Sequence, residues 1–224
     1  IITKSGGVSL AWDLAHTRPH KLNRGIPKTY KSAFVEYRRR LIKNIGGTNG
    51  MTPNGTKVIS IYANAEKLPL KKNSIDLLFT SPPYASNAID YMRAHKFSLV
   101  WFGKSIDDLS VFRNKYIGGE NTLNFQFQEI PLETQKIISK IKHIDNKKGL
   151  VLHRYYSEMK RVINEAFRVL KPGKAAIFIV GSSVMRGIDS QTPNCIGEIG
   201  SSAGFDLVGI QMRRLDRNKR MLPA

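Results

Sequence analysis

The chain has 224 residues, 41% of them hydrophobic, which suits one compact α/β domain or slightly more. Lys and Arg number 36 against 17 Asp and Glu, a formal charge of +19 that points to a polyanionic partner, nucleic acid ahead of membrane, or else to a ribosome-associated protein or a basic proteome. The single Cys195 excludes an internal disulfide, a zinc knuckle and an iron–sulfur site and indicates a reducing, cytoplasmic setting; the opening "IITKSGGVSLAWDLAH" lacks a signal-peptide core, and no run nears the roughly 18 apolar residues of a membrane span, so a soluble protein is expected.

In chain order, residues 1 to 27 are mixed and rich in turn formers. "KTYKSAFVEYRRRLIKNIGG" then sets Phe34, Tyr37 and Leu41 at helical spacing ahead of Gly46 and Gly47, which predicts a helix with a basic face. Lys57 to Tyr62 predicts a strand ending in a small polar turn, and Ser74 to Thr80 a second, fully buried one. Helices are expected over Ala88 to Phe102 and Ile106 to Tyr116, the second opened by Ser105 with Asp107 and Asp108 in its first turn. Trp101 and Phe102 are assigned to the core. Residues 117 to 149 have the aspect of an insertion: a loop, a helix from Leu132 to His143 and a lysine-rich turn. Leu150 to Leu170 predicts a long amphipathic helix stopped by Pro172 and Gly173, followed by the buried strand "KAAIFIVGSS", a helix with Pro193 near its first turn running to Ala203, and a last strand from Phe205 to Met212. No period of 20 to 50 residues repeats, which excludes solenoids.

Strands alternating with helices imply an α/β fold, a mostly parallel sheet with helices on both faces and a ligand edge beyond the carboxyl ends of the strands. "TSPPY", residues 80 to 84, falls at that edge. The stretch "DLLFTSPPY" resembles the catalytic motif of the amino-methylating DNA methyltransferases, a (Ser/Asp/Asn)-Pro-Pro-(Tyr/Phe) tetrapeptide after the fourth strand of a Rossmann-like domain; the serine form is typical of enzymes making N4-methylcytosine. "ANAEKLPLKKNSID" is similar to the strand and turn leading into that motif, "EAFRVLKPGKAAIFIVG" to the helix, Lys-Pro-Gly turn and fifth strand after it, and "NAIDYMRAHKFSLVWFG" to a stretch that follows the motif in one branch. The resemblance covers about residues 57 to 210.

It implies a class I S-adenosylmethionine-dependent sheet and a methyl transfer to an exocyclic amine of a base flipped out of double-stranded DNA, cytosine N4 ahead of adenine N6, as in restriction-modification. The chemistry suits the residues. A conjugated amino lone pair is a poor nucleophile, and acceptors that favour its pyramidalisation help the methyl to arrive. Ser81 offers its hydroxyl and Pro82 its carbonyl, while Pro82 and Pro83 fix φ and remove competing N–H donors. Tyr84 would stack on the extruded base. The alternative for these four residues is an ordinary proline turn after a strand. By resemblance Asn64 and Ala65 lie beside the cofactor's adenine, where the family often has an acidic residue, and Thr80 and Ser81 complete the cofactor edge; the alternative for Asn64 is a turn-forming residue after a strand. No metal is required.

The glycine-rich Phe-x-Gly-x-Gly loop of the family and the acidic strand end after it are not found in the sequence. The expected sheet therefore omits its first two strands, which would lie upstream of Ile1, on another polypeptide, or nowhere. The chain divides into a helical region (1–56), a catalytic part (57–116), an insertion proposed for target recognition (117–149) and the C-terminal part of the sheet (150–224). Basic clusters at Arg18 to Arg24, Tyr37 to Arg40, Tyr91 to Lys96 and Met212 to Arg220 supply phosphate contacts, with Arg38, Arg39, Arg93, His95, Lys96, Arg213 and Arg214 as the named candidates; each cluster alone also reads as a solvated face. His95 is expected to pack or to contact phosphate rather than to act as a base, since the amine loses its proton after methyl transfer. Partners expected are double-stranded DNA and either a restriction endonuclease or a chain supplying the glycine-rich loop. Two other readings stay open: an RNA or protein amino-methyltransferase, and a non-catalytic nucleic-acid-binding module.

Overall fold

A computed structural model describes residues 2–3, 29–30, 32–47, 55, 57–85, 98–105, 107–109, 111 and 116–213, on which the following rests. The chain forms two compact units, one of residues 1–62 with 88–113, the other of residues 63–87 with 114–224. It is a mixed helix and strand structure with three two-stranded sheets among the described residues.

In the first unit, β1 (Ile2–Thr3) and β2 (Thr29–Tyr30) pair antiparallel, and α1 (Ala33–Gly46) is the expected basic helix. None of its side chains is buried; Phe34, Tyr37 and Leu41 are all exposed, and Arg39 bonds Glu36 one turn back. Residues 57 to 62, expected as a strand, have no regular structure, and Val58, Ile59, Ile61 and Tyr62 are exposed. Apolar alternation makes a strand only where a neighbour completes the ladder, and no described strand pairs with this segment. Trp101 and Phe102, assigned to the core, are exposed. Helix is described over residues 98–101 and at 107–109 and 111, with the Asp108 N–H donating to Ser105 Oγ as the sequence predicts of a cap; the remainder of those two expected helices lies outside the described residues.

The second unit holds the core. Elements in order are β3 (Ile75–Thr80), α2 (Leu132–Ile144), α3 (Asn146–Val169), β4 (Leu170–Phe178), β5 (Val184–Met185), β6 (Ile188–Asp189) and α4 (Thr192–Ser202). Helix α3 starts four residues earlier than periodicity alone predicts because Asp145 caps it, its side chain accepting the Lys148 N–H at 3.0 Å. Gly149, in its first turn, lets α2 and α3 meet: a Cβ there would stand 2.5 Å from Lys142 Cα. Ile138, Ile141, Leu152, Tyr155, Tyr156, Met159, Ile163 and Ile199 are the largest apolar groups buried between α2, α3 and α4. The expected helix in the 117–149 stretch is thus a core element. Helix α4 has Pro193 in its first turn as expected.

Strands β3 and β4 pair in parallel, Leu77 against Ala175 and Phe79 against Ile177, and the Ile179 N–H donates to the Thr80 carbonyl past the last pair. Period two sends Phe178 and Val180 onto the core, while Leu77 and Phe79 are 55% and 63% exposed with Ile177 and Ile179 beside them. The full burial expected of these strands is therefore corrected to burial of one face. Their near-continuous apolar sequence belongs to a sheet covered on both sides, and one side stands open. Residues 205 to 212, expected as a last strand, also lack regular structure and pair with nothing described. A hairpin that sequence reasoning missed joins β5 to β6 through Arg186 (φ 51°) and Gly187 (φ 81°), two successive left-handed residues as a type I′ turn requires.

Candidate functional site

Strand β3 ends at Thr80, and the chain turns through Ser81 to Ala85 at its carboxyl end. Ser81 is exposed and its hydroxyl takes no partner among the described residues; Pro82 and Ala85 are buried, Pro83 is half-buried, and Tyr84 is 38% exposed. The corner thus presents an oxygen and an aromatic face while anchoring the backbone between them. Its anchors come from far along the chain. Tyr155 Oη donates to the Pro83 carbonyl at 2.9 Å, and Ser183 Oγ donates to the Ala85 carbonyl at 3.0 Å. The Tyr84 ring lies over Gly181, where a Cβ would begin 3.7 Å from it. Behind the ring is a cavity of about 10 Å³ lined by Ala85, Gly118, Val151, Leu152, Tyr155 and Met185, room for one water and not for a base.

Helix α3 also holds two further segments through one polar stripe at helical spacing: Arg154, Glu158, Arg161, Glu165 and Arg168. Toward its N-terminal half, Arg154 Nε donates to Glu158 at 2.9 Å with both side chains buried, and the guanidinium also donates to the Asn121 carbonyl and lies 4.9 Å from the Phe125 ring centroid. Glu158 in turn accepts the Gly118 N–H at 2.6 Å. Burial pushes the Glu158 carboxyl up from its ordinary range, against the Gly118 N–H and Arg154, which pull it down. This pair straps the loop 116–121 beside Tyr84. The straps continue along the next residues of the loop, with the Gln128 N–H donating to Ser157 Oγ and Lys160 donating to the Glu129 carbonyl.

Toward its C-terminal half the same stripe holds the 64–70 turn. Arg161 bonds Glu66 at 2.9 Å, Glu165 accepts the Leu68 N–H at 2.6 Å, and Arg168 donates to the Leu68 and Leu70 carbonyls. Bonding from Arg168 holds the Glu165 carboxyl below its usual value. Asn64 and Ala65 open this turn; Asn64 Oδ1 accepts the Glu66 N–H at 3.0 Å, the turn-forming role its residue type favours, and both residues are exposed. Thr80 is half-buried. Asn64 and Ala65 thus stand on the surface, and nothing among the described residues forms a glycine-rich cradle.

Of the nucleic-acid candidates, Arg38 and Arg39 are on the exposed face of α1 in the first unit, and Arg213 is exposed in the second. Arg93, His95, Lys96 and Arg214 lie outside the described residues. Tyr155, Ser183, Arg154 and Glu158 were not singled out by sequence; the i,i+4 Arg–Glu spacing on a long helix was legible, but it reads equally as a solvated face. Among the described residues no helix is long and apolar enough to cross a membrane.

Over 173 residues the chain is 26% identical to "Type II methyltransferase M.MvaI" of Kocuria varians, covering 71% of this chain and 37% of that protein. Over 234 residues it is likewise 26% identical to "Type II methyltransferase M.AvaI" of Nostoc sp. (strain PCC 7120), covering 92% of this chain and 48% of that protein, and to its namesake in Anabaena variabilis. The chain therefore spans about half or less of the length of the curated relatives it matches. No family model matches the sequence, and no solved structure does.

Proposed function

We propose that this chain carries the catalytic part of a DNA amino-methyltransferase with S-adenosylmethionine as cofactor, acting on cytosine N4 ahead of adenine N6. The observation that carries the reading is the proline corner itself: an exposed Ser81 hydroxyl, without a partner among the described residues, and a partly exposed Tyr84 at the carboxyl end of a parallel strand. The similarity to two curated Type II methyltransferases supports it.

The bound cofactor supplies an electrophilic methyl group on a sulfonium. The chain's residues prepare the acceptor. Tyr84 stacks on the flipped base, which restricts its rotation at a gain of about 1–3 kcal/mol. Ser81 Oγ and the Pro82 carbonyl accept the N–H groups of the amine, drawing its lone pair out of conjugation toward the methyl carbon. Transfer would release the cofactor as its thioether, and the now acidic nitrogen would give its proton to solvent. Asn64 and Ala65 would lie beside the adenine of the cofactor, with Thr80 and Ser81 completing the cofactor edge.

The remaining cofactor contacts belong to a segment or chain carrying the glycine-rich loop. The relatives' greater length supports this, as does the open apolar face of β3 and β4, which an additional layer of structure would cover. Duplex DNA is the proposed substrate, and a restriction endonuclease the proposed functional companion. Phosphate contacts are assigned to Arg38, Arg39, Arg93, His95, Lys96, Arg213 and Arg214, and base reading to residues 117–149. Incorporation of labelled methyl into duplex DNA, RNA and protein, by this chain and by a longer one of the relatives' length, tests the reading. DNA is expected to be labelled, and Ser81→Ala or Tyr84→Ala to lower the rate at least 100-fold with the fold intact. Full activity in both variants would refute the assignment, and labelling of RNA or protein alone would favour the RNA or protein methyltransferase.

A further inference from the structure

We propose that Tyr155 is a positioning residue for this corner, its hydroxyl holding the Pro83 carbonyl and so fixing how the corner presents Ser81, Pro82 and Tyr84. The inference rests on the reading of the corner above. Neither Pro82 nor Pro83 has an N–H, so these two residues can be tied down only through their carbonyls. Among the described residues, the carbonyls on either side of Tyr84 in sequence, those of Pro83 and Ala85, are held. The Pro83 oxygen receives Tyr155 Oη from α3 at 2.9 Å, and the Ala85 oxygen receives Ser183 Oγ from the segment after β4 at 3.0 Å.

The two anchors have the stiffness the task needs. Tyr155 is 1% exposed in the middle of a 24-residue helix and packs edge-on against Tyr156 with centroids 5.3 Å apart. Ser183 is held in turn by its hydroxyl contact to Ser190 Oγ at 3.1 Å. Fixing the peptide unit that leads into Tyr84, together with the carbonyl of the residue after it, restrains the direction in which its side chain leaves the backbone, and therefore the plane offered to a base.

The test uses the full chain and a short single-stranded oligonucleotide with one 2-aminopurine flanked by abasic sites, so that only a protein ring can stack on the probe. Binding is read by anisotropy and stacking by quenching at saturation. Tyr84→Ala is expected to abolish the quench. Tyr155→Phe should bind within twofold of wild type yet lose at least half of the quench, whereas Thr134→Val, which removes a buried hydroxyl bonded to Glu198 on the α2 side, should keep both. Ser183→Ala carries the same expectation as Tyr155→Phe and serves if that variant does not fold. Tyr155→Phe and Ser183→Ala behaving like Thr134→Val would overturn the positioning role. A wild-type quench no larger than that of Tyr84→Ala would overturn the reading of the corner, and this inference with it.

Discussion

Replacing Arg154 by Met removes one member of a buried ion pair and leaves the other in place. Arg154 and Glu158 are 4% and 5% exposed, and the guanidinium also serves the Asn121 carbonyl. Leaving a buried charge without its partner costs about 3–5 kcal/mol, against a total stability of about 5–15 kcal/mol for a domain. The loss will depend on pH. Burial already raises the Glu158 carboxyl, and Arg154 is one of the groups pulling it back, so the variant raises it further. A carboxyl whose folded value exceeds its unfolded value holds its proton more tightly in the folded state; stability is then full below the unfolded value and falls as pH rises through the folded one. Urea denaturation followed by circular dichroism should therefore show a smaller loss at pH 5 than at pH 8, because protonation of the raised carboxyl removes the need for a cation. Adding Glu158→Gln, which keeps an acceptor for the Gly118 N–H, should recover most of the pH 8 loss and remove its pH dependence. Equal losses at pH 5 and pH 8, or no recovery in the double variant, would refute the argument that an uncompensated carboxylate is the cause.

Two further perturbations probe the frame on which the site is built. Gly149→Ala gains about 1 kcal/mol of helix propensity but sets a Cβ 2.5 Å from the Lys142 backbone, at an overpacking cost of about 1–3 kcal/mol; a net drop of a few degrees in melting temperature is expected, and a rise would mean that α2 and α3 do not cross at this position. Burial acts to raise the Glu198 carboxyl, but the Thr134 hydroxyl and the Glu133 and Thr134 N–H groups outweigh it and hold it below its usual value. Its contribution is present above the unfolded glutamate value and lost as pH falls through the depressed one, so Glu198→Gln should flatten the acid limb of the stability profile and cost about 1 kcal/mol at pH 7, as loss of a cap does. An unchanged acid limb would show that α2 is capped by other means.

What the sequence determined by itself is local. The 3.6-residue periods, Ser105, Pro193 and the glycines after Ile45 predict helices and ends that the structure reproduces within a few residues, because such signals act across one or two turns of chain. The corner was legible for the same reason: two prolines after an apolar run stiffen the chain wherever it is placed. Tertiary structure alone decided the rest. Residues 57–62 and 205–212 carry strand composition yet form no strand, since ladder hydrogen bonds need a neighbour that composition cannot supply. The hydroxyl that secures Pro83 comes from a residue 72 positions away, and the carboxylate that straps Gly118 from one 40 positions away. No periodicity encodes which side chains a fold will bring together at such separations, because that pairing is set by how α3 packs across the sheet.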